Sequence, residues 1–368
     1  MTTGFQPQHA DFTDLATGFV PFPADRADAY RRAGYWTDRP LDSILGDAAA
    51  RWPDKPAVID PAVSYTFAEL AARADRIAAA LLRHGIRPGD RVLLQLPNTC
   101  QFAVALFGLL RARAVPVMCL PGHRSAELNH FAAVSGAVGL IVPDVTAGFD
   151  YRELAAELVA NNPALRFVFV DGEPGPFESF TALADFDGPI PEPAPVDPDL
   201  PALLLVSGGT TGLPKLIPRT HNDYRYNATA CAQACRMTGD DVYLVALPAG
   251  HNFPLGCPGL LGSMTVGAST VFTTDSSPEA AFALIDKYRV TVTGLVNALA
   301  KVWTQACEWE PVLPTSLRLV QVGGSRMTPD EARYILDGLT PGLSQIFGMA
   351  EGMLNFTRPG DPLDVEIG

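Results

Sequence analysis

The sequence predicts an α/β protein in which helices flank two mostly parallel sheets, arranged in two lobes. Short apolar runs of strand length alternate with amphipathic segments of helix length, the pattern of successive βαβ units. The alternation breaks once, where Pro189, Pro191, Pro193, Pro195, Pro198 and Pro201 crowd a short stretch, and then resumes. The 368 residues, 48% hydrophobic and 18% charged, suffice for two or three lobes and exclude a disordered or coiled-coil chain.

Residues 1–45 read as irregular, around Gly34-Tyr35-Trp36. Thr66-Phe67-Ala68-Glu69 is a capping box: the threonine hydroxyl can accept from the N3 amide while the glutamate returns to the N-cap amide. The helix it opens carries Leu70, Ile77, Leu81 and Leu82 and stops at Gly85. Pro88-Gly89-Asp90 turns the chain into a strand over 91–96. A helix over 100–113, a strand over 115–119, a helix around 126–135 and a strand over 138–142 follow. Past the prolines come a strand over 202–206, a loop and a helix from about Tyr224. Further strands fall at 242–246, 269–273, 292–295, 317–322 and 343–346, with helices between. This gives a first α/β unit over 1–188, a linker crossing between lobes over 189–201, and a second α/β unit over 202–356.

Composition excludes several classes of function. The net charge of −13 disfavours nucleic acid and anionic membranes as partners. A nest of backbone amides with one lysine can still hold a phosphate. The six cysteines form no CxxC pair, and Cys231 and Cys235, four apart, read as two small residues on one helix face. The six histidines show no HxxxH or HExxH pattern, so no protein-held transition metal is expected. The N-terminus lacks the basic and apolar regions of a signal peptide, and the apolar run 103–110 is about a third of a membrane span. A soluble, cytoplasmic protein is expected.

The richest signal is Ser207-Gly208-Gly209-Thr210-Thr211-Gly212-Leu213-Pro214-Lys215, directly after the apolar run Leu203-Leu204-Leu205-Val206. Glycines let successive amides converge on one anion, the threonines add hydroxyl donors, and Lys215 adds a mobile charge. A Walker A loop requires lysine directly after its second motif glycine; here Lys215 lies three residues past Gly212. An ordinary surface turn would not need this combination of glycines, threonines and lysine.

This run, with Pro218-Arg219-Thr220-His221-Asn222, resembles the phosphate-binding core of the superfamily containing acyl-CoA synthetases, firefly luciferase and nonribosomal peptide adenylation domains. Gly34-Tyr35-Trp36, Pro248-Ala249-Gly250-His251-Asn252, Val322-Gly323-Gly324-Ser325 and Phe347-Gly348-Met349-Ala350-Glu351-Gly352 extend the resemblance over essentially the whole chain. Within the superfamily the chain looks most like the stand-alone aryl acid–AMP ligases of siderophore and antibiotic pathways. The resemblance implies the N-terminal domain of an adenylate-forming enzyme, using ATP and Mg²⁺ to activate salicylate or a related acid. The acceptor would be the phosphopantetheine thiol of a carrier protein.

Residue by residue, the resemblance implies that Ser207, Gly208, Gly209, Thr210, Thr211, Gly212 and Lys215 clamp phosphates. Gly323, Gly324, Ser325, Gly348, Met349 and Ala350 would flank the nucleotide, and Glu351 would hold the metal. His251 would sit beside the reacting carboxylate and α-phosphate, acting with Lys215 and Glu351. The acid pocket would comprise Asn252, Phe253, Cys257, Gly324, Ser325, Ile346, Gly348 and Leu354. Asn252 would bind the ortho hydroxyl; its neutrality, where amino-acid adenylation domains carry Asp, favours an acid without an α-amino group. Phe253 stands where the family often has Tyr, removing one pocket hydroxyl. Dihydroxybenzoate-activating members tend to carry Ser and Val where this chain has Cys257 and Leu354, so salicylate is expected over 2,3-dihydroxybenzoate. A thiol is a weak donor, and an unpartnered buried 3-hydroxyl costs on the order of 1–3 kcal/mol. Gly256 is expected to enlarge the pocket toward substituted salicylates or anthranilate.

Full-length relatives continue past residue 368, so a truncated chain without the small C-terminal domain is expected, with 357–368 starting a β-rich third subdomain. Such a chain would bind the acid but adenylate it poorly. An aryl-CoA ligase and a non-catalytic aryl-acid binding protein are the rival readings.

Overall fold

The computed structural model describes residues 19–183, 189, 191–208 and 214–367. In chain order its strands are β1 (Pro56–Ile59), β2 (Ser64–Thr66), β3 (Arg91–Leu94), β4 (Val115–Met118), β5 (Gly139–Pro143), β6 (Val145–Thr146), β7 (Phe149–Asp150), β8 (Phe167–Asp171), β9 (Phe180–Ala182), β10 (Pro201–Val206), β11 (Leu216–Thr220), β12 (Val242–Val245), β13 (Ser269–Phe272), β14 (Val292–Val296), β15 (Leu319–Gly323), β16 (Leu343–Gly348) and β17 (Leu354–Phe356). They form an eight-stranded sheet, β17-β16-β15-β14-β12-β13-β1-β2, and a seven-stranded sheet, β11-β10-β4-β3-β5-β8-β9. Among the described residues, antiparallel pairing in these sheets is confined to β1–β2, β10–β11 and β16–β17, at their edges. Central strands such as β4, β5, β13 and β15 are buried throughout, so they read as continuous apolar runs rather than alternating ones.

The capping box forms as the sequence dictates. Thr66 N donates to Glu69 Oε2 at 2.8 Å, and Glu69 N donates to Thr66 Oγ1 at 3.2 Å. The helix Phe67–Arg83 then buries Phe67, Leu70, Ala74, Ile77 and Leu81, an i, i+3, i+4 stripe. Each large side chain in it contributes about 1.5–3 kcal/mol of transfer free energy. The helix packs against Cys100–Arg111, to which Asp75 and Arg111 add an ion pair at 2.7 Å.

The topology departs from the expected division in sequence. The proline-rich stretch joins β9 to β10, two strands of the same sheet, rather than crossing between sheets. The crossings fall elsewhere: the helix Phe67–Arg83 leads from β2 to β3, and the helix His221–Ala234 leads from β11 to β12. Residues 56–66 therefore belong to the second sheet, where Val58 and Ile59 pair with Thr270 and Val271. Apolar alternation reports that strands exist but not which sheet they join.

The N-terminal region is not irregular in its described part. Helices cover Ala24–Arg32 and Ser43–Arg51; the first has Asp25 in its opening turn and Arg31 and Arg32 in its last, matching the helix dipole. Where 357–368 was expected to begin a β-rich subdomain, Leu363–Ile367 is a short helix that buries Ile367 in the core beneath β15 and β16. Among the described residues no helix is long and apolar enough to cross a membrane.

Candidate active site

Parallel strands place their C-terminal ends on one side of a sheet, where turns leave backbone groups and side chains available for ligands. The motif residues follow such ends: Ser207 and Gly208 after β10, His251 and Asn252 beyond β12, Gly324 and Ser325 after β15, and Met349 to Glu351 after β16. The loop after β12 is held by Asn98, which sits beyond the end of β3 in the other sheet. Its Nδ2 donates to the carbonyls of Leu247 (2.9 Å), Thr273 (3.0 Å) and Val245 (3.3 Å), and its Oδ1 accepts from Ala249 N at 2.7 Å. Nothing in the sequence signalled this residue, because a Pro-Asn turn is common and its partners lie about 150 residues away.

His251 caps the short helix Asn252–Gly256, its Nδ1 accepting from Phe253 N at 3.2 Å. It is solvent-accessible, yet the groups packed around it desolvate the ring and lower its pKa below the usual 6.5. Neutral at pH 7 with Nδ1 accepting, the imidazole carries its proton on Nε2, as a hydrogen-bond donor.

Phe253, Cys257, Ile346 and Leu354, four of the expected acid-pocket residues, come together in a small apolar cluster separate from the main cores. Cys231, Leu247 and Phe356 complete it; the sequence had assigned them no role. Phe253 lies against Gly294 and Gly323, where an added Cβ would stand 3.1 and 3.4 Å from its ring. Gly348 pairs across the β16–β17 hairpin with Leu354, whose Cδ2 would meet a Cβ at 348. Leu354 therefore drapes over Gly348, and a side chain there would require its terminal methyl to move. The Cys257 thiol lies 3.4 Å from the Asn252 carbonyl, as its donor.

Asn252 borders the cluster from the first turn of its helix. Its Oδ1 accepts from the hydroxyl of Tyr224, a fully buried residue, at 2.8 Å. Gly256 does not widen the pocket as the sequence suggested. A Cβ there would meet Tyr224 Oη at 2.9 Å and Asn227 Nδ2 at 3.3 Å, so the space beside it is already filled.

Gly324, in the left-handed conformation at φ +89°, and Ser325 form the exposed turn after β15. Glu351 stands at the tip of the β16–β17 hairpin, which Gly352 N closes by donating to Met349 O at 3.1 Å. Its carboxylate is exposed, with no hydrogen bond or ion pair among the described residues. Exposed Phe347, Met349 and Met353 flank it. A single open carboxylate fits Mg²⁺, which keeps waters and phosphate oxygens as its other ligands.

β10 and β11 form a hairpin whose loop ends are tied twice. Ser207 N donates to Lys215 O, and Lys215 N donates to Ser207 Oγ, both at 2.9 Å. Lys215 is exposed, and His130 Nε2 lies 3.0 Å from Pro214 O. Gly209, Thr210, Thr211 and Gly212 lie outside the described residues.

The motif after the phosphate loop has a structural part. Arg219 is buried and ion-pairs with Asp223 at 2.5 Å. It also donates to Ala350 O at 3.0 Å, joining β11 to the Glu351 hairpin. His221 accepts from Leu41 N at 2.9 Å through Nδ1; burial and the Arg113 charge lower its pKa to about 3. Asn222 bonds Asp38 and Asp199. These two residues fasten the N-terminal segment.

Against known proteins, the description "AMP-binding enzyme" matches residues 45–368. The chain belongs to the AMP-binding enzyme family. A salicyl-AMP ligase / salicyl-S-ArCP synthetase of Mycobacterium tuberculosis is 67% identical over 95% of this chain and 62% of its own length. A salicylyl-CoA synthase / salicylate adenylyltransferase of a Streptomyces species is 44% identical over 95% of this chain and 65% of its own. Among solved structures, apo MbtA of Mycobacterium smegmatis aligns with a TM-score of 0.90 at 62% identity, covering 96% of this chain and 65% of that one. The chain thus spans less than two thirds of the length of these relatives.

Proposed function

We propose that this chain provides the acid and nucleotide sites of a salicylate-activating adenylate-forming ligase. The carrying observation is the small apolar cluster of Cys231, Phe253, Cys257, Ile346 and Leu354, bordered by Asn252 and flanked by the Glu351 hairpin. Apolar walls suit an aromatic ring, and one amide edge suits one ortho substituent. The 67% identity to a salicyl-AMP ligase supports the same acid. Leu354 over Gly348 leaves little room beside a ring carbon, and the Cys257 thiol is already directed to a backbone carbonyl. A 3-hydroxyl would find no partner there, which favours salicylate over 2,3-dihydroxybenzoate by roughly 1–3 kcal/mol.

In the proposed reaction a salicylate carboxylate oxygen attacks the α-phosphorus of ATP and pyrophosphate leaves. The nucleophile is already anionic, so no general base is needed; alignment and charge neutralisation limit the rate. His251 would donate through Nε2 to the crowded oxygens, and Lys215 would balance phosphate charge. Glu351 would hold Mg²⁺, which when bound neutralises charge on the nucleotide phosphates. The acceptor of the acyl group is proposed to be a carrier-protein phosphopantetheine thiol.

Titration calorimetry of the chain with salicylate, 2,3-dihydroxybenzoate and Mg²⁺–ATP tests the reading. Salicylate should bind most tightly, with a separate nucleotide heat. Equal or tighter binding of 2,3-dihydroxybenzoate would remove the roles of Cys257 and Leu354. Acid binding without any nucleotide heat would favour an aryl-acid binding protein. With a full-length relative, turnover on coenzyme A but not on a phosphopantetheinylated carrier would favour the CoA ligase.

A further inference from the structure

We infer that Tyr224 is a specificity-setting residue: by fixing the amide of Asn252, it makes the pocket select an ortho hydroxyl over an ortho amino group. This rests on the aryl-acid reading above. Tyr224 lies on the helix His221–Ala234, is wholly enclosed, and directs its hydroxyl to Asn252 Oδ1 at 2.8 Å. Asn252 is its hydrogen-bond partner among the described residues. Were the amide turned over, the phenolic proton would face an N–H₂ group and have no acceptor in a buried site. That penalty biases the amide roughly 10- to 100-fold toward the observed orientation. The absence of a side chain at Gly256 lets the hydroxyl reach Asn252, since a Cβ there would stand 2.9 Å from Tyr224 Oη. Arg219, 4.8 Å above the Tyr224 ring, and its partner Asp223 hold the ring in place.

With Oδ1 turned to Tyr224, the other edge of the Asn252 amide carries the Nδ2 N–H₂. It has no partner among the described residues and is not sealed in the core. The two candidate acids differ at this point. Salicylate spends its single phenolic proton on its own carboxylate, so its ortho oxygen faces outward as an acceptor. Anthranilate spends one amine proton the same way and turns the other outward as a donor, while its nitrogen lone pair is delocalised into the ring. An N–H₂ group therefore complements salicylate and opposes anthranilate. Phe253 and Cys257, which shape the ring pocket, do not distinguish them.

Fluorescence titration of the chain with salicylate and anthranilate, with competition by benzoate, tests the inference. The unsubstituted chain should bind salicylate at least about tenfold more tightly than anthranilate, a ratio expected of one mismatched buried hydrogen bond. Tyr224→Phe frees the amide to turn, and the ratio should fall to within about threefold while benzoate affinity holds. Asn252→Asp keeps an oxygen for Tyr224 and presents a second oxygen to the ligand, so the preference should invert; both acids carry the same carboxylate, so its repulsion cancels in the ratio. If Tyr224→Phe does not fold, Gly256→Ala, whose Cβ would stand 2.9 Å from Tyr224 Oη and push the hydroxyl off Asn252, takes its place with the same expected loss of preference. Retention of the salicylate preference in the folded variants, or no preference in the unsubstituted chain, would overturn the role of Tyr224. Failure to bind salicylate, anthranilate and benzoate alike would instead remove the aryl-acid reading and this inference with it.

Discussion

Acidification should loosen the molecule through one histidine. His221 is buried and neutral, its Nδ1 accepting from Leu41 N, and burial with the Arg113 charge lowers its pKa to about 3 from 6.5. The unfolded chain takes up a proton below about pH 6.5, whereas the folded chain resists until about pH 3. The contribution of His221 is thus complete above pH 6.5 and is lost as pH falls from there toward 3. Each pH unit inside that window is worth about 1.4 kcal/mol, so the loss reaches about 2 kcal/mol at pH 5 and at most about 5 kcal/mol in full. His221→Gln can still accept from Leu41 N but does not titrate. Urea denaturation at pH 7.5, 6 and 5, followed by tryptophan fluorescence, compares the two chains. The variant should be less stable at pH 7.5, but its decline to pH 5 should be about 2 kcal/mol smaller. Parallel declines would refute the reasoning.

Three further outcomes follow from the site. Cys257→Ser combined with Leu354→Val supplies a hydroxyl and removes one methylene; the preference for salicylate over 2,3-dihydroxybenzoate, measured by binding, should shrink about tenfold or more. Gly348→Ala drives a methyl against Leu354 Cδ2 and should weaken salicylate binding by about tenfold, with Gly348→Ala/Leu354→Ala recovering part of it in a double-mutant cycle. Arg219→Met should cost about 3 kcal/mol in urea titrations by leaving Asp223 and the Ala350 carbonyl without their donor. Arg219→Lys should not restore it, because an ammonium cannot reproduce the planar fork.

Local chemistry was legible in the sequence. Thr66 and Glu69 announce a helix start because both halves of the box lie within one turn. Phe253, Cys257, Ile346 and Leu354 could be expected to lie together, as they do in one apolar cluster, because motif resemblance carries spatial information that periodicity lacks. What stayed hidden depends on distant partners. Cys231 reads as an ordinary helix residue, and only the packing of the folded chain brings it into one cluster with Phe253 and Ile346. Gly256 reads as empty space because Tyr224, 32 positions earlier, gives no sign in the sequence of lying beside it. Asn98 and Arg219 act across sheets, and nothing local distinguishes them from a turn asparagine or a surface arginine.

The membership of residues 56–66 in the second sheet bears on how the chain is made. Val58 is matched with Thr270, so β1 leaves the ribosome roughly two hundred residues before its permanent neighbour exists. At about 5–20 residues per second, that is an interval of some ten to forty seconds. Through it, the hairpin with β2 covers one edge of β1 and leaves the other bare. The seven-stranded sheet has all its strands by Thr220 and can close first. Its partner sheet must wait for β13 to slide between β1 and β12, so nascent chains arrested between residues 220 and 269 still present that edge of β1 to chaperones after the seven-stranded sheet has all its strands.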